Sequence, residues 1–421
     1  MSAKNPSISQ SAWDNFADEL KKLGDKLVGP TGARSARERA EGFRYLIRLI
    51  GAAQELELEA DRQRPSLNRM FTPTRKFIAE GTDTLYHEAK LDPQRSYEMT
   101  VRRGDDLFFS IVVYAEDEEG DKLIVDDLND EGIVFDEQDG ARVAKIHLSA
   151  KRPDGATNWL KLEGRRPFVL TRQYFPDFVT EVDAGQYRQA IMEIENIDHP
   201  AAPPELDEDH LARGLDRMVA FMNETLDSAL GISAFVGLNT IEYERTDTSP
   251  TRIGSDGNLV LDHESHEEYS PDELAEMVDP RVVANNLPGP GIGYVGAQFK
   301  LADDEAILIE GKDVPCRYWS AQILTKFLES GDYRHHRVAI NNRQVELDDD
   351  GTFRIYASET NPGVRNWMST QGYRRGQIVL RTLLAEEDMN AELSVVKIAE
   401  IPERDRAAQA TVARQTRSTN G

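Results

Sequence analysis

The sequence predicts an α+β protein, mainly β, built from two related β-sandwich or jelly-roll units, with N-terminal helices and a helical insertion between the units. Three observations predict it. An Asn-Trp motif occurs twice in matching surroundings, strand patterning flanks both copies, and helical periodicity is confined to the start and the middle of the chain.

The motif stands at Asn158-Trp159 and Asn366-Trp367, in a chain with only four tryptophans, so the match is hard to ascribe to chance. Pro153-Asp154-Gly155 precedes the first copy and Asn361-Pro362-Gly363 the second; Gly164 and Gly372 follow at equal distance. Each copy then enters an apolar strand that ends in arginine, Phe168 to Arg172 and Gln377 to Arg381. Upstream, Lys90-Leu91 matches Lys300-Leu301, and Lys145 to Leu148 matches Arg354 to Ala357, with small offset drifts of the kind loop insertions produce. The recurrence reads as an internal duplication. Within the motif, Trp is expected to anchor the core, Asn to cap a turn, and Gly to allow positive φ.

In chain order, the expected organisation is a helical segment over 1–83, a β unit over 84–176, an insertion over 177–293, a second β unit over 294–386, and a C-terminal strand with a disordered tail over 387–421. The first helix spans roughly 11–27, with Ser11 as N-cap ahead of Trp13, Phe16 and Leu20. The second starts near Ser35, which forms a capping box with Glu38, and carries Ala36, Ala40, Phe43, Ile47 and Ile50 at helical spacing. Arg44 and Arg48 on its flank suit either an anion or a structural ion pair. In the first unit, Tyr97 to Val101 alternates like a half-buried strand, and Leu107 to Tyr114 reads as a central strand. Asp139-Gly140 and Asp350-Gly351 have hairpin-turn chemistry. In the insertion, Asp207 to Leu230 is a helix whose stripe, including Leu215, Met218, Met222 and Leu226, would pack on a sheet. A short helix is expected after Ser270-Pro271. The Gly/Pro loop from Asn285 to Tyr294 reads as a pocket rim or as the entry to the second unit; it lacks the Lys-Ser/Thr of a phosphate loop.

The 421 residues suffice for two or three domains with a large core. A net charge of −25 argues against nucleic-acid and anionic-membrane partners. One cysteine, Cys316, excludes an intrachain disulfide framework and fits a reducing compartment. The start of the chain lacks a signal-peptide core and no run is long enough for a membrane span, so a cytoplasmic location is expected. No Gly-x-Ser-x-Gly elbow, His-Glu-x-x-His helix, Walker loop, dinucleotide fingerprint or zinc-spaced cysteine pair is present, which tells against the common hydrolase, protease, NTPase and dehydrogenase classes.

Three histidine settings remain. His263 and His266 lie among carboxylates at a spacing poorly suited to metal, and no metal site is assigned. Asp83, Tyr86 and His87 stand close enough to supply orienting group, acid and base, although strand alternation puts Tyr86 opposite Asp83 and His87. Arg334 and His335, followed by Asn341, sit in a polar segment read as strand, suited to an oxyanion or to a polar sheet surface.

These segments also carry a resemblance. Ala40-Glu41-Gly42-Phe43-Arg44-Tyr45-Leu46, the Asp83-to-Tyr86 entry, and a C-terminal set including Trp319, Asp332-Tyr333-Arg334, Asn341, Gln344, Asn366-Trp367, Gly372 and Arg381 are similar to the bacterial family called domain of unknown function 1214. The Asn-Pro that usually precedes the family's Asp is absent here. The resemblance implies β-sandwich or jelly-roll units with helical additions. It implies no activity, although members often resemble accessory proteins of steroid, terpenoid or aromatic breakdown.

The functional expectation is an enzyme of small-molecule catabolism without an organic cofactor. It would act by acid–base or hydrolytic chemistry on an apolar oxygenated compound held between the two units. His87 would be the base, Asp83 its orienter and Tyr86 a neighbouring acid. Arg334, His335, Asn341 and Tyr294 would bind substrate. The alternative is a noncatalytic binding or assembly protein, and a homo-oligomer suits either reading.

Overall fold

The computed structural model describes residues 7–29, 32–199, 202–203, 205–236, 240–243, 251–253, 259–260 and 289–406. Helix α1 spans Ile8–Leu27 and α2 spans Ala36–Ala53. The first unit contains β1 (Thr84–Lys90), β2 (Tyr97–Arg102), β3 (Phe108–Glu116), β4 (Lys122–Asn129), β5 (Ala141–Ser149), β6 (Asn158–Lys161), β7 (Arg165–Tyr174) and β8 (Ile191–Asn196). Helix α3 (Glu208–Val236) follows. The second unit contains β9 (Ile292–Lys300), β10 (Glu305–Lys312), β11 (Tyr318–Leu324), β12 (Ala339–Asn341), β13 (Thr352–Ser358), β14 (Trp367–Ser369), β15 (Arg375–Leu383) and β16 (Ala391–Lys397).

The duplication is complete at the level of topology. Each unit is a sandwich of two sheets: β1-β7-β3-β4 against β8-β2-β5, and β9-β15-β11-β12 against β16-β10-β13. Short β6 and β14 each add to their outer sheet by parallel pairing, β6 on β5 and β14 on β13. The last strand of each outer sheet, β8 or β16, lies beyond the expected ends of the repeats at 176 and 386, so each unit runs one strand further than the motif matches suggested. The expected short helix after Ser270-Pro271, the His263/His266 stretch, the Asn285–Pro288 part of the Gly/Pro loop, and the tail beyond 406 lie outside the described residues.

Alternation along the inner strands splits their side chains between two environments. In unit one, Phe109, Ile111, Val113 and Val169 enter the sandwich core with Met99, Val101 and Ile146. Unit two does the same with Val295, Phe299, Trp319, Ile323, Ile378 and Leu380. The opposite faces of the two inner sheets turn toward each other. Phe108, Tyr174, Ile292, Tyr318 and Leu383 pack between the units, with the Tyr174 and Tyr318 rings edge-on at 5.1 Å. The helices roof the remainder: α1, α2 and α3 share one core with Tyr86, Val112, Tyr114, Leu170, Leu324 and Phe327. The methionines of α3, Met218 and Met222, are buried there as core filling.

Two details of the helices differ from expectation. Ser7 rather than Ser11 caps α1, accepting from the Gln10 amide, so the helix starts a turn earlier. The Ser35–Glu38 capping box forms as read. The apolar stripe expected to be buried on α2 is largely outside it, however: Phe43 and Ile47 are 47% and 68% exposed, whereas Tyr45, Leu49, Ala52 and Ala53 are buried. The helix has two apolar stripes, and Gly42 selects between them. A Cβ at Gly42 would meet Leu27 Cδ2 at 2.5 Å, so its bare backbone lets α1 dock on that side.

The Asn-Trp corners superimpose bond for bond. Asn158 Nδ2 donates to the carbonyls of Val134 and Lys145, and Oδ1 accepts from the Val134 amide at 2.9 Å. Asn366 Nδ2 donates to the carbonyls of Glu346 and Arg354, and Oδ1 accepts from the Glu346 amide at 2.9 Å. Each asparagine thus stitches a distant loop to a sheet edge instead of capping its own turn. Trp159 Nε1 donates to Ser149 Oγ and Trp367 Nε1 to Ser358 Oγ, both at 3.1 Å. The indoles stay outside the sandwich cores, which Leu160 and Met368, the next residues on each strand, enter instead. Gly164 and Gly372 hold φ of +80° and +72°, the left-handed region that favours glycine.

Candidate functional site between the units

A cavity of about 280 Å³ lies between the two inner sheets under the end of α3. Its walls are mostly apolar, with Met70, Phe71, Phe168, Leu170, Ile232 and Leu324 prominent. Ligand sites favour such domain interfaces, where apolar walls surround a few converging polar groups.

The polar groups come from the duplicated arginine strands. Arg172 of β7 and Arg381 of β15 both line the cavity and are 7% and 3% exposed. Their settings match across the repeat. Arg172 lies opposite Tyr86 on β1 and Ser110 on β3; Arg381 lies opposite Tyr294 on β9 and Ser320 on β11. Arg172 Nη2 donates to the Tyr114 hydroxyl at 3.0 Å, and Arg381 Nη2 donates to the Ala79 carbonyl at 2.5 Å. The Arg172 guanidinium sits 5.9 Å from the Tyr86 ring centroid and that of Arg381 5.3 Å from the Tyr294 ring. Arg381 Nη1 and the Tyr86 hydroxyl also converge, both close to Gly81, where a side chain would displace them.

No carboxylate pairs with either arginine among the described residues. Burying a guanidinium costs several kcal/mol even after relaxation, roughly. A buried cation–π contact returns only about 2 kcal/mol. The surroundings leave donors unused as well: Arg172 Nη1, Arg381 Nε, Gln377 Nε2 and the Tyr174 hydroxyl are buried, on cavity-lining residues, without a hydrogen-bond partner.

Of the residues singled out from the sequence, Tyr86 and Tyr294 line this cavity, as equivalents in the repeat. Asp83 and Asn341 are brought together elsewhere. Asp83 Oδ2 accepts from Asn341 Nδ2 at 2.6 Å and from the Tyr318 hydroxyl at 2.8 Å, and Oδ1 accepts from Thr82 Oγ1 at 2.5 Å. That carboxylate is buried and fully engaged, joining unit one to unit two; burial raises its pKa. His87 points to the sandwich side of β1 with Leu85 and Ala89, away from Tyr86, and is not part of the cavity wall. Its Nδ1 is buried without a partner, and burial, with Arg69 nearby, pushes its pKa down to about 4. An imidazole so weakly basic is a poor general base near neutrality.

Arg334 and His335 are exposed on a turn, not on a strand, so the alternation expected there does not apply. The turn is closed by the amides of His335 and His336 donating to the Asp332 carbonyl. Arg334 is taken by its neighbour Asp332 at 2.7 Å. The buried partner in that segment is Tyr333, over whose ring Lys76 Nζ sits at 4.2 Å.

Behind one wall of the cavity lies a buried charge cluster. Lys76 Nζ donates to the Ser330 and Gly331 carbonyls. Glu80, which lines the cavity, accepts from the Ser330 amide and hydroxyl. Glu329 pairs with Arg48 at 2.5 Å, which settles Arg48 in the structural ion-pair role. Burial raises the Glu80 carboxyl and lowers the Lys76 ammonium. Arg172, Arg381 and Glu80 were not singled out as site residues. The signal for the arginines was the strand ending shared by both repeats: a long charged side chain on the central strand of an inner sheet has nowhere polar to go except a buried site. No histidine, cysteine or carboxylate cluster able to hold a metal occurs among the described residues, and no described helix is long and apolar enough to cross a membrane.

Comparisons with known proteins agree with the architecture. The model of the family described as "Protein of unknown function (DUF1214)" matches residues 80–178 and 297–387. A crystal structure of an uncharacterized protein from Burkholderia cenocepacia is similar at 28% identity and a TM-score of 0.76, covering 94% of this chain and 99% of that one. A protein from Vibrio parahaemolyticus aligns at 12% identity and a TM-score of 0.46, over 84% of this chain and 98% of its own. No curated protein matches. The two regions matched by the DUF1214 family model carry most of the inner sheets and both Asn-Trp corners, one region to each β unit.

Proposed function

We propose that the protein binds a mostly apolar small molecule bearing an oxygen function, and that the inter-unit cavity is where it binds. The observation that carries this is the combination of apolar walls with two buried, carboxylate-free arginines at equivalent positions of the two units. Stability alone does not account for them, because apolar residues of the same volume would cost less. The reading places the protein among those of small-molecule catabolism, working in the cytoplasm, where the single Cys316 thiol stays reduced.

Thermal unfolding with a panel of steroid, terpenoid and aromatic alcohols, ketones and acids tests it. A ligand at 100 times its Kd stabilises the fold by about 2.7 kcal/mol. Leu170→Trp, which fills the cavity, is expected to abolish the shift. A shift that survives this substitution places the ligand elsewhere and ends the proposal.

One observation favours a catalytic reading in addition. Glu80 lines the cavity, and burial raises its carboxyl toward the range in which acid–base catalysts work. In this reading a bound compound is consumed, and Glu80→Gln stops consumption while leaving binding intact. Unchanged turnover in that variant removes Glu80 from the chemistry.

A further inference from the structure

We infer that the ligand of this cavity is a carboxylate, its head group held between Arg172 and Arg381 and its apolar body lying against the walls. The inference rests on the reading of the cavity as a small-molecule site and adds the class of ligand.

Three features point to an anion. Arg172 and Arg381 are permanently charged, more than nine-tenths buried, and paired with no carboxylate among the described residues. The unused groups around the cavity are donors: guanidinium nitrogens of both arginines, the Gln377 amide nitrogen and the Tyr174 hydroxyl. Glu80, the acidic residue on the wall, is already engaged by Ser330, with Lys76 beside it as a counter-charge. A neutral alcohol or ketone accepts one or two of those hydrogen bonds and leaves the charges uncompensated. An anion meets both needs.

The arrangement further favours a carboxylate over a phosphate. The arginines come from equivalent strands, each opposite a tyrosine and a serine at matching register, so the cradle has approximate two-fold symmetry. A carboxylate is planar, with two equivalent oxygens offering about four lone-pair positions, which matches the unused donors. A phosphate monoester presents three oxygens and a second charge, with no matching third donor set. The tyrosine rings stacked near both guanidiniums and the apolar walls suit a hydrocarbon or aromatic body behind the head group.

Isothermal titration of the full chain with decanoate, decanol, methyl decanoate and decyl phosphate tests the inference. Decanoate is expected to bind, with decanol and the ester weaker by roughly 30-fold or more, the scale on which a buried charge partner counts. Arg172→Gln and Arg381→Gln are each expected to remove most of that preference. Equal binding of decanoate and decanol to the native chain overturns the carboxylate assignment and leaves the cavity reading standing. Tighter binding of decyl phosphate overturns it in favour of a phosphate head. Failure of all four compounds, together with no shift in the wider panel, ends the cavity reading itself. The native-chain arms decide the matter even if an arginine variant folds poorly.

Discussion

The Asn-Trp corners and the Tyr-Arg pairs of the inner sheets are both duplicated, the corners bond for bond and the pairs in register, yet they are opposite in character. At each corner, all the polar atoms of the asparagine side chain are matched, and the indole nitrogen finds a serine. At the pairs, buried donors of Arg172 and Arg381 stay unmatched. Repetition alone therefore does not separate structure from function. Hydrogen-bond satisfaction is what sets the two regions apart: the corners close a loop onto a sheet at low energy, whereas the arginines keep charge in an apolar interior at a cost, and that cost is what supports the proposed binding role.

Substitutions at the two regions should then move in opposite directions. The largest effect is expected at the corners. Asn366→Ala removes the three part-buried hydrogen bonds of a buried side chain and unties the Glu346 backbone, at about 3 kcal/mol in denaturant unfolding. Asn158→Ala should behave alike; a loss below about 1 kcal/mol in both would break the contrast. At the other region, Arg381→Met should leave stability unchanged or raise it by about 1–3 kcal/mol while abolishing ligand binding. A strongly destabilised Arg381→Met would mean the arginine is structural after all.

A pH test addresses the histidine that the cavity excludes. His87 has a folded pKa lowered to about 4 from an ordinary value of 6.5, so the unfolded chain takes up its proton first. Its contribution is fully present above pH 6.5 and is lost as pH falls toward 4, on the order of 3 kcal/mol. His87→Gln should flatten that acid limb without changing ligand affinity at pH 7. An altered affinity would bring His87 back into the site. The smallest effect should come from the indoles. Trp367→Phe costs about 1 kcal/mol for its lost hydrogen bond, and Trp159→Phe less, because Trp159 is the more exposed of the two. Equal losses, measured by urea midpoint, would show that exposure does not tune the corner.

Much of the architecture was legible from residues in sequence. The two Asn-Trp settings marked the duplication, the strand alternation marked the sheets, the Ser35–Glu38 box marked the start of α2, and the 211–230 stripe marked α3. The site was legible only in part. Tyr86 and Tyr294 belong to the cavity wall; His87 lies on the other side of the strand from Tyr86, and Asp83, one residue before that strand, is taken up by Asn341 and Tyr318. Local clustering of titratable residues misled because a strand sends adjacent side chains to opposite faces. The Asp332–Arg337 cluster misled because a turn pairs Arg334 with its own neighbour.

By itself, then, the sequence determined periodicity, turn chemistry and the repeat, all of which act over a few residues or through copies of one pattern. Tertiary structure alone decided which stripe of α2 is buried, since that depends on Leu27 meeting Gly42. It also decided that Asp83 ties the units together through Asn341 and Tyr318, and that arginines more than two hundred residues apart share one cavity. Those outcomes rest on which faces of the two inner sheets meet, and burial and charge compensation are properties of that meeting rather than of any segment.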